Sequence, residues 1–155
     1  MDVIKGDQMK RLPVLEATLH KTEEWLDAVA DRLGIESREL AYAALRSVLH
    51  ALRDSISVDE VAQLGAEMPL LIRGIYYEGW NPKSNNKLLR TRDKFINAVR
   101  KGLRGNYDIS DIERAVNAVL EVLEERISEG EIRQVEHLLP RGLRKLWPNA
   151  ASMHH

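Results

Sequence analysis

Along most of the chain, apolar residues recur at the three-and-four spacing of an α-helix. Ala41, Leu45, Val48, Leu49, Leu52 and Ile56 fall on one helix face, and so do Ile112, Val116, Val119, Leu120, Leu123 and Ile127. The two sets are 71 residues apart, position by position. At the same offset Ser57-Val58-Asp59-Glu60 falls on Ser128-Glu129-Gly130-Glu131, Val61 and Leu64 on Ile132 and Val135, and Met68-Pro69 on Leu139-Pro140. Ile72-Arg73 then falls on Leu143-Arg144, and Tyr76 on Trp147. An opening stretch matches at an offset of 70, with Trp25-Leu26, Val29 and Leu33 on Phe95-Ile96, Val99 and Leu103. A one-residue indel in the following loop absorbs the difference.

This pattern predicts helical pieces near 22–33, 38–54 and 58–66 and after Pro69, repeated near 92–103, 110–126, 129–138 and 140–146. Each Ser-x-x-Glu reads as a capping box, the Ser hydroxyl and Glu carboxylate satisfying orphan helix N–H groups reciprocally. Pro69 and Pro140 sit where a first-turn proline would, since the missing N–H is an orphan there. Either half alone is below the size at which a core usually stands by itself. The expected fold is therefore all-α, with about eight helices forming two pseudo-symmetric four-helix repeats packed into one compact bundle. The expected divisions are an N-terminal arm over 1–21, repeat 1 over 22–78, a linker over 79–91, repeat 2 over 92–148 and a flexible tail over 149–155.

Composition agrees with the pattern. The 155 residues are 44% hydrophobic and 30% charged, rich in Leu and Ala, with one Phe and five Pro. The absence of cysteine excludes disulfides, a thiol nucleophile, thiolate zinc sites and cysteine-held clusters. Lys5, Asp2, Asp7, Lys10 and Arg11 break up the first residues, so no secretory core is read there, and no apolar run spans a membrane. A cytoplasmic, bacterial-type protein is expected. The net charge of −1 conceals a division, with five basic against eleven acidic residues over 22–78 and five against one over 79–94.

Three runs resemble one known family. They are Thr22-Glu23-Glu24-Trp25-Leu26, then Arg38 with Ala41-Tyr42-Ala43-Ala44-Leu45-Arg46 and Leu49-His50-Ala51-Leu52-Arg53-Asp54, then Met68-Pro69-Leu70-Leu71-Ile72-Arg73-Gly74-Ile75-Tyr76-Tyr77-Glu78-Gly79-Trp80. Over roughly residues 20–148 the chain resembles the bacterial family known as domain of unknown function 2267. The resemblance implies a small soluble helical protein with no assigned activity, and supplies no catalytic residues.

Four constellations bear on function. Val29 to Leu45, with Gly34 at a turn, has the outline of a helix-turn-helix. Its reading helix would present Glu39, Tyr42, Ala43 and Arg46 from an acidic segment, which repels phosphate and argues against nucleic acid as partner. The second is a basic belt of Lys83, Lys87, Arg90, Arg92, Lys94, Arg100, Lys101 and Arg104, interrupted by Asp93, which reads either as a solvated face or as a seat for an anionic partner. Third, Tyr76, Tyr77 and Trp80 crowd the linker entrance, and Tyr77 and Trp80 have no repeat counterpart. Tyr76 is expected in the core, and Tyr77 and Trp80 are the residues expected to anchor a partner or border a pocket. Fourth, Arg73 and Arg144 recur together, and are expected to play a structural part by pairing with a carboxylate such as Glu60 or Glu131.

Catalysis finds little support. His20, His50 and His137 lack a Glu three residues earlier, and no phosphate-binding loop, dinucleotide fingerprint or nucleophile elbow is present. Glu121, Glu124 and Glu125 read as solvated helix surface. A haem held by His50 or His137 is disfavoured by the near absence of Phe. No catalytic residue, metal or cofactor is expected. The reading is a non-enzymatic interaction or regulatory module, with a protein partner or homodimer and no membrane. The alternative is a ligand-binding protein or enzyme with a pocket near Trp80.

Overall fold

The computed structural model describes residues 12–83, 88–105 and 109–147. Among them are seven α-helices: α1 (Pro13–Leu33), α2 (Arg38–Arg53), α3 (Val58–Ala66), α4 (Leu70–Tyr77), α5 (Arg92–Leu103), α6 (Ile109–Arg126) and α7 (Glu129–Leu138). A 3₁₀ segment, Arg141–Leu146, follows. The fold is all-α.

Local chemistry sets most boundaries. Ser37, Ser57, Thr91 and Ser128 are N-caps, each hydroxyl accepting from the backbone N–H three residues on. α1 closes on Gly34 in the left-handed region, at φ 67°. The expected arm is helical from Pro13 onward. Pro13 opens the helix at its first position with Glu16 in the first turn, and the Thr18 hydroxyl accepts from the Leu71 N–H at 3.0 Å, tying this extension to α4. The rest of the arm, residues 1–11, and the tail lie outside the described residues. Pro69 and Pro140 stand one place earlier than expected, as N-caps. The last piece winds as 3₁₀, with Gly142 lying against the Arg90 carbonyl and Trp147 extended at its end.

The core is one apolar cluster fed by both halves of the chain, including Trp25, Val29, Leu45, Leu49, Ile72, Phe95, Val99, Val119, Leu123 and Trp147. Its axis is the crossing of α2 on α5, the most extensive helix contact, where a Cβ on Gly102 would lie 2.6 Å from Ser47 Oγ. Small residues at that point let the helices approach closely. α1 and α6 pack on α2, α4 rests on α1, α2 and α3, and α7 meets both α3 and α6.

Candidate functional site

The basic belt is assembled by α5 and its approach. Phe95, Ile96, Val99 and Leu103 face the core, which leaves Lys94, Lys101 and Arg104 in water on the opposite strip, with Lys83 and Arg90 exposed ahead of them. Arg100 is half-buried, and Lys87 lies outside the described residues. Arg92 pairs with Glu113. Lys83, Arg90, Lys94, Lys101 and Arg104 meet no carboxylate among the described residues. Elsewhere most described arginines are engaged, among them Arg32 with Glu121 and Glu125, Arg38 with Asp27 and Glu23, Arg46 with Glu78 and Arg126 with Glu24.

Arg104 caps α5 in the left-handed region at φ 54°, the conformation that Gly34 takes at the end of α1. It is the one non-glycine residue with positive φ among those described. A side chain there costs about 1 kcal/mol relative to glycine.

Tyr76 meets Tyr77 edge to face and Tyr77 meets Trp80 at a tilt, with ring centroids 5.0 and 5.6 Å apart. Tyr76 is fully buried, and its hydroxyl donates to the Val61 carbonyl at 2.9 Å. Burial pushes the phenol well above its usual range. Tyr77 and Trp80 are half-buried against the core, and the Tyr77 ring rests over Gly65 of α3. An apolar pocket of about 220 Å³ opens between Leu33, Ile35, Leu40, Ala44, Leu103 and Ala115, with Asp111 and Arg114 also lining it. Neither Tyr77 nor Trp80 lines it, so this pocket is not the one expected at Trp80.

Arg73 and Arg144 do not reach Glu60 or Glu131. Arg73 donates to the carbonyls of Gly65, Ala66 and Met68, and Arg144 to those of His137 and Leu139. Each guanidinium closes the carbonyl end of the helix before it, where the helix dipole favours a cation. Two such capping groups escaped the sequence reading. The buried Arg53 donates to the carbonyls of Tyr76 and Glu78 at 2.9 and 3.0 Å, and His50 Nε2 lies 2.7 Å from the Ile75 carbonyl. Both close α4. The only signal was a charged pair, Arg53-Asp54, beside an apolar face.

The capping boxes form only in part. Ser57 and Ser128 accept from the N–H groups of Glu60 and Glu131, but the Ser128 N–H donates to Glu67 at 3.0 Å rather than to Glu131. The Glu60 and Glu131 side chains are buried where α3 meets α7.

A helical domain with a core drawn from both halves, an unpaired basic strip and no cluster of three His, Asp or Glu able to hold a metal among the described residues is the class of protein defined here. The profile of the uncharacterized conserved protein family DUF2267 matches residues 22–146, and the chain belongs to that family. No curated protein matches it. Among the described residues, no helix is long and apolar enough to cross a membrane.

Proposed function

We propose that the chain is a doubled helical unit acting in the bacterial cytoplasm as a non-enzymatic interaction module. Its contact surface is the basic face of α5 with the linker ahead of it, and its partner is an acidic protein surface. The supporting observation is that Lys83, Arg90, Lys94, Lys101 and Arg104 stay exposed and unneutralised by described carboxylates while most other arginines pair. The left-handed Arg104 adds weight, because a charge is kept where glycine suits the backbone better. Tyr77 and Trp80, half-buried against the core, precede in sequence the linker that leads to this face.

The test is affinity capture with wild type beside a Lys94→Glu/Lys101→Glu variant, at low and high salt. A specific acidic protein held by wild type, released by salt and absent from the variant is expected, with the melting temperature nearly unchanged because both side chains are exposed. Arg104→Gly should weaken capture while stabilising the fold by about 1 kcal/mol. Equal capture by wild type and variant, or capture indifferent to salt, refutes the proposal. Captured nucleic acid would reassign the partner.

A further inference from the structure

Glu60 and Glu131, from positions 71 residues apart, are both buried where α3 meets α7. Their carboxyl groups lie within hydrogen-bond reach of each other. One buried oxygen on each, Glu60 Oε1 and Glu131 Oε2, has no N–H or O–H donor among the described residues. Gln134 reaches only the other Glu60 oxygen, at 3.5 Å. Two carboxylates in contact, each with a buried oxygen lacking a donor, are satisfied together only if one of them carries a proton.

We propose that the α3–α7 contact is a pH-sensitive clasp, closed by one proton shared between Glu60 and Glu131 and loosened when that proton leaves. Among the described residues, no ion pair joins a cation to Glu60 or Glu131. Glu67 at the end of α3 adds a further negative charge. On the elements packed here, Arg133 of α7 pairs with Glu129, Arg126 of α6 with Glu24 and Arg53 of α2 with Asp54, while Arg73 of α4 is spent on carbonyls. Of the other groups on α3, α4, α6 and α7, His137 of α7 is exposed and Arg114 of α6 donates to the Leu33 carbonyl; the rest are acids, namely Asp59 on α3, Glu136 on α7, Asp111, Glu113, Glu121, Glu124 and Glu125 on α6, and the Tyr76 and Tyr77 phenols on α4. Burial first, then the hydrogen bond and charge of Glu60, push the Glu131 carboxyl up to about 8.

The direction of the pH effect follows. Between the usual glutamate range and about 8, the folded chain keeps a proton that the unfolded chain has lost, so stability falls as pH rises through this window. Above it both states are deprotonated, and the loss is complete.

The test is chemical denaturation of the full chain at closely spaced values from about pH 5 to 9, for wild type, Glu131→Gln and Glu60→Gln. Glutamine copies the protonated carboxyl. The wild-type unfolding constant, divided by that of Glu131→Gln, should climb by about a hundredfold or more up to about pH 8 and then level off. Glu60→Gln should abolish the same climb, whereas Glu129→Gln, on the exposed side of α7, should keep it. A ratio that stays flat, or a climb that survives both clasp variants, overturns the proposal. Carboxyl carbon NMR on the unaltered protein gives an answer that needs no variant to fold: no glutamate titrating above about pH 7 also overturns it.

Discussion

Replacing Gly65 by alanine would put a methyl carbon 2.5 Å from the Tyr77 hydroxyl oxygen and 2.8 and 2.9 Å from two atoms of its ring. Real side chains do not sit that close, so the ring must leave the surface of α3. Its hold is mainly packing, since its hydroxyl donates to Val61 only at 3.4 Å while the ring lies between Tyr76 and Trp80. Overfilling of this kind costs about 1–3 kcal/mol, against about 1 kcal/mol gained by exchanging glycine for alanine in a helix. The net expectation is a loss of up to about 2 kcal/mol, or up to roughly 6 °C in Tm for a chain of this size. In a Tyr77→Ala background the obstacle is gone and only the helix gain remains, so the same substitution should stabilise by about 0.5–1 kcal/mol. Urea denaturation of the four proteins closes the cycle, with an expected interaction energy of about 2 kcal/mol. Alanine that stabilises the wild-type protein, or has equal effects in both backgrounds, would show that Tyr77 is not seated on α3.

Two further outcomes concern the groups that close α4. Arg53→Ala leaves the carbonyls of Tyr76 and Glu78 without their donor in a buried site, and should cost about 3 kcal/mol by urea denaturation; a loss under about 1 kcal/mol would mean that water replaces the guanidinium. Burial, reinforced by Arg53 and Arg46, holds the His50 imidazole below its usual range against the opposing bond to Ile75. Its contribution is therefore full above the ordinary histidine value of about 6.5 and lost as pH falls below it, so His50→Gln should flatten the acid limb of stability between about pH 7 and 5. An unchanged limb would place the titrating group elsewhere.

Helix type and core face were legible because they depend on spacing alone. Ala41, Leu45, Val48, Leu49 and Leu52 are buried as their period requires, and so are Ile112, Val116, Val119, Leu120 and Leu123. α1 starts at Pro13 rather than near residue 22, and the Thr22 hydroxyl bonds back to the Thr18 carbonyl inside the helix. The direction of a long polar side chain was not legible. Glu60 and Glu131 satisfy the spacing of a capping box, yet their carboxyls are drawn to one another across the α3–α7 contact, a choice made by a partner 71 residues away. Arg73 and Arg144 were recognised as structural, but a carboxylate was the expected acceptor because sequence gives no sign of which helix-end carbonyls lack donors. The basic belt was legible as charge. That Lys83, Arg90, Lys94, Lys101 and Arg104 meet no described carboxylate, whereas Arg92 pairs with Glu113, became visible only in three dimensions.

The strand of chain that joins the two halves is itself held at its far end. The Leu89 N–H donates to the Asp54 carbonyl at 3.0 Å, Leu89 packs on the core, and Gly142 leaves no room for a Cβ beside the Arg90 carbonyl, where one would stand 2.7 Å away. Leu89 and Arg90 thus take hydrogen-bonded and packed places against both halves. Neither half has a private interior to retreat into when the other is disturbed. The expected consequence of the shared core is a single unfolding transition, with damage in either half lowering the stability of both.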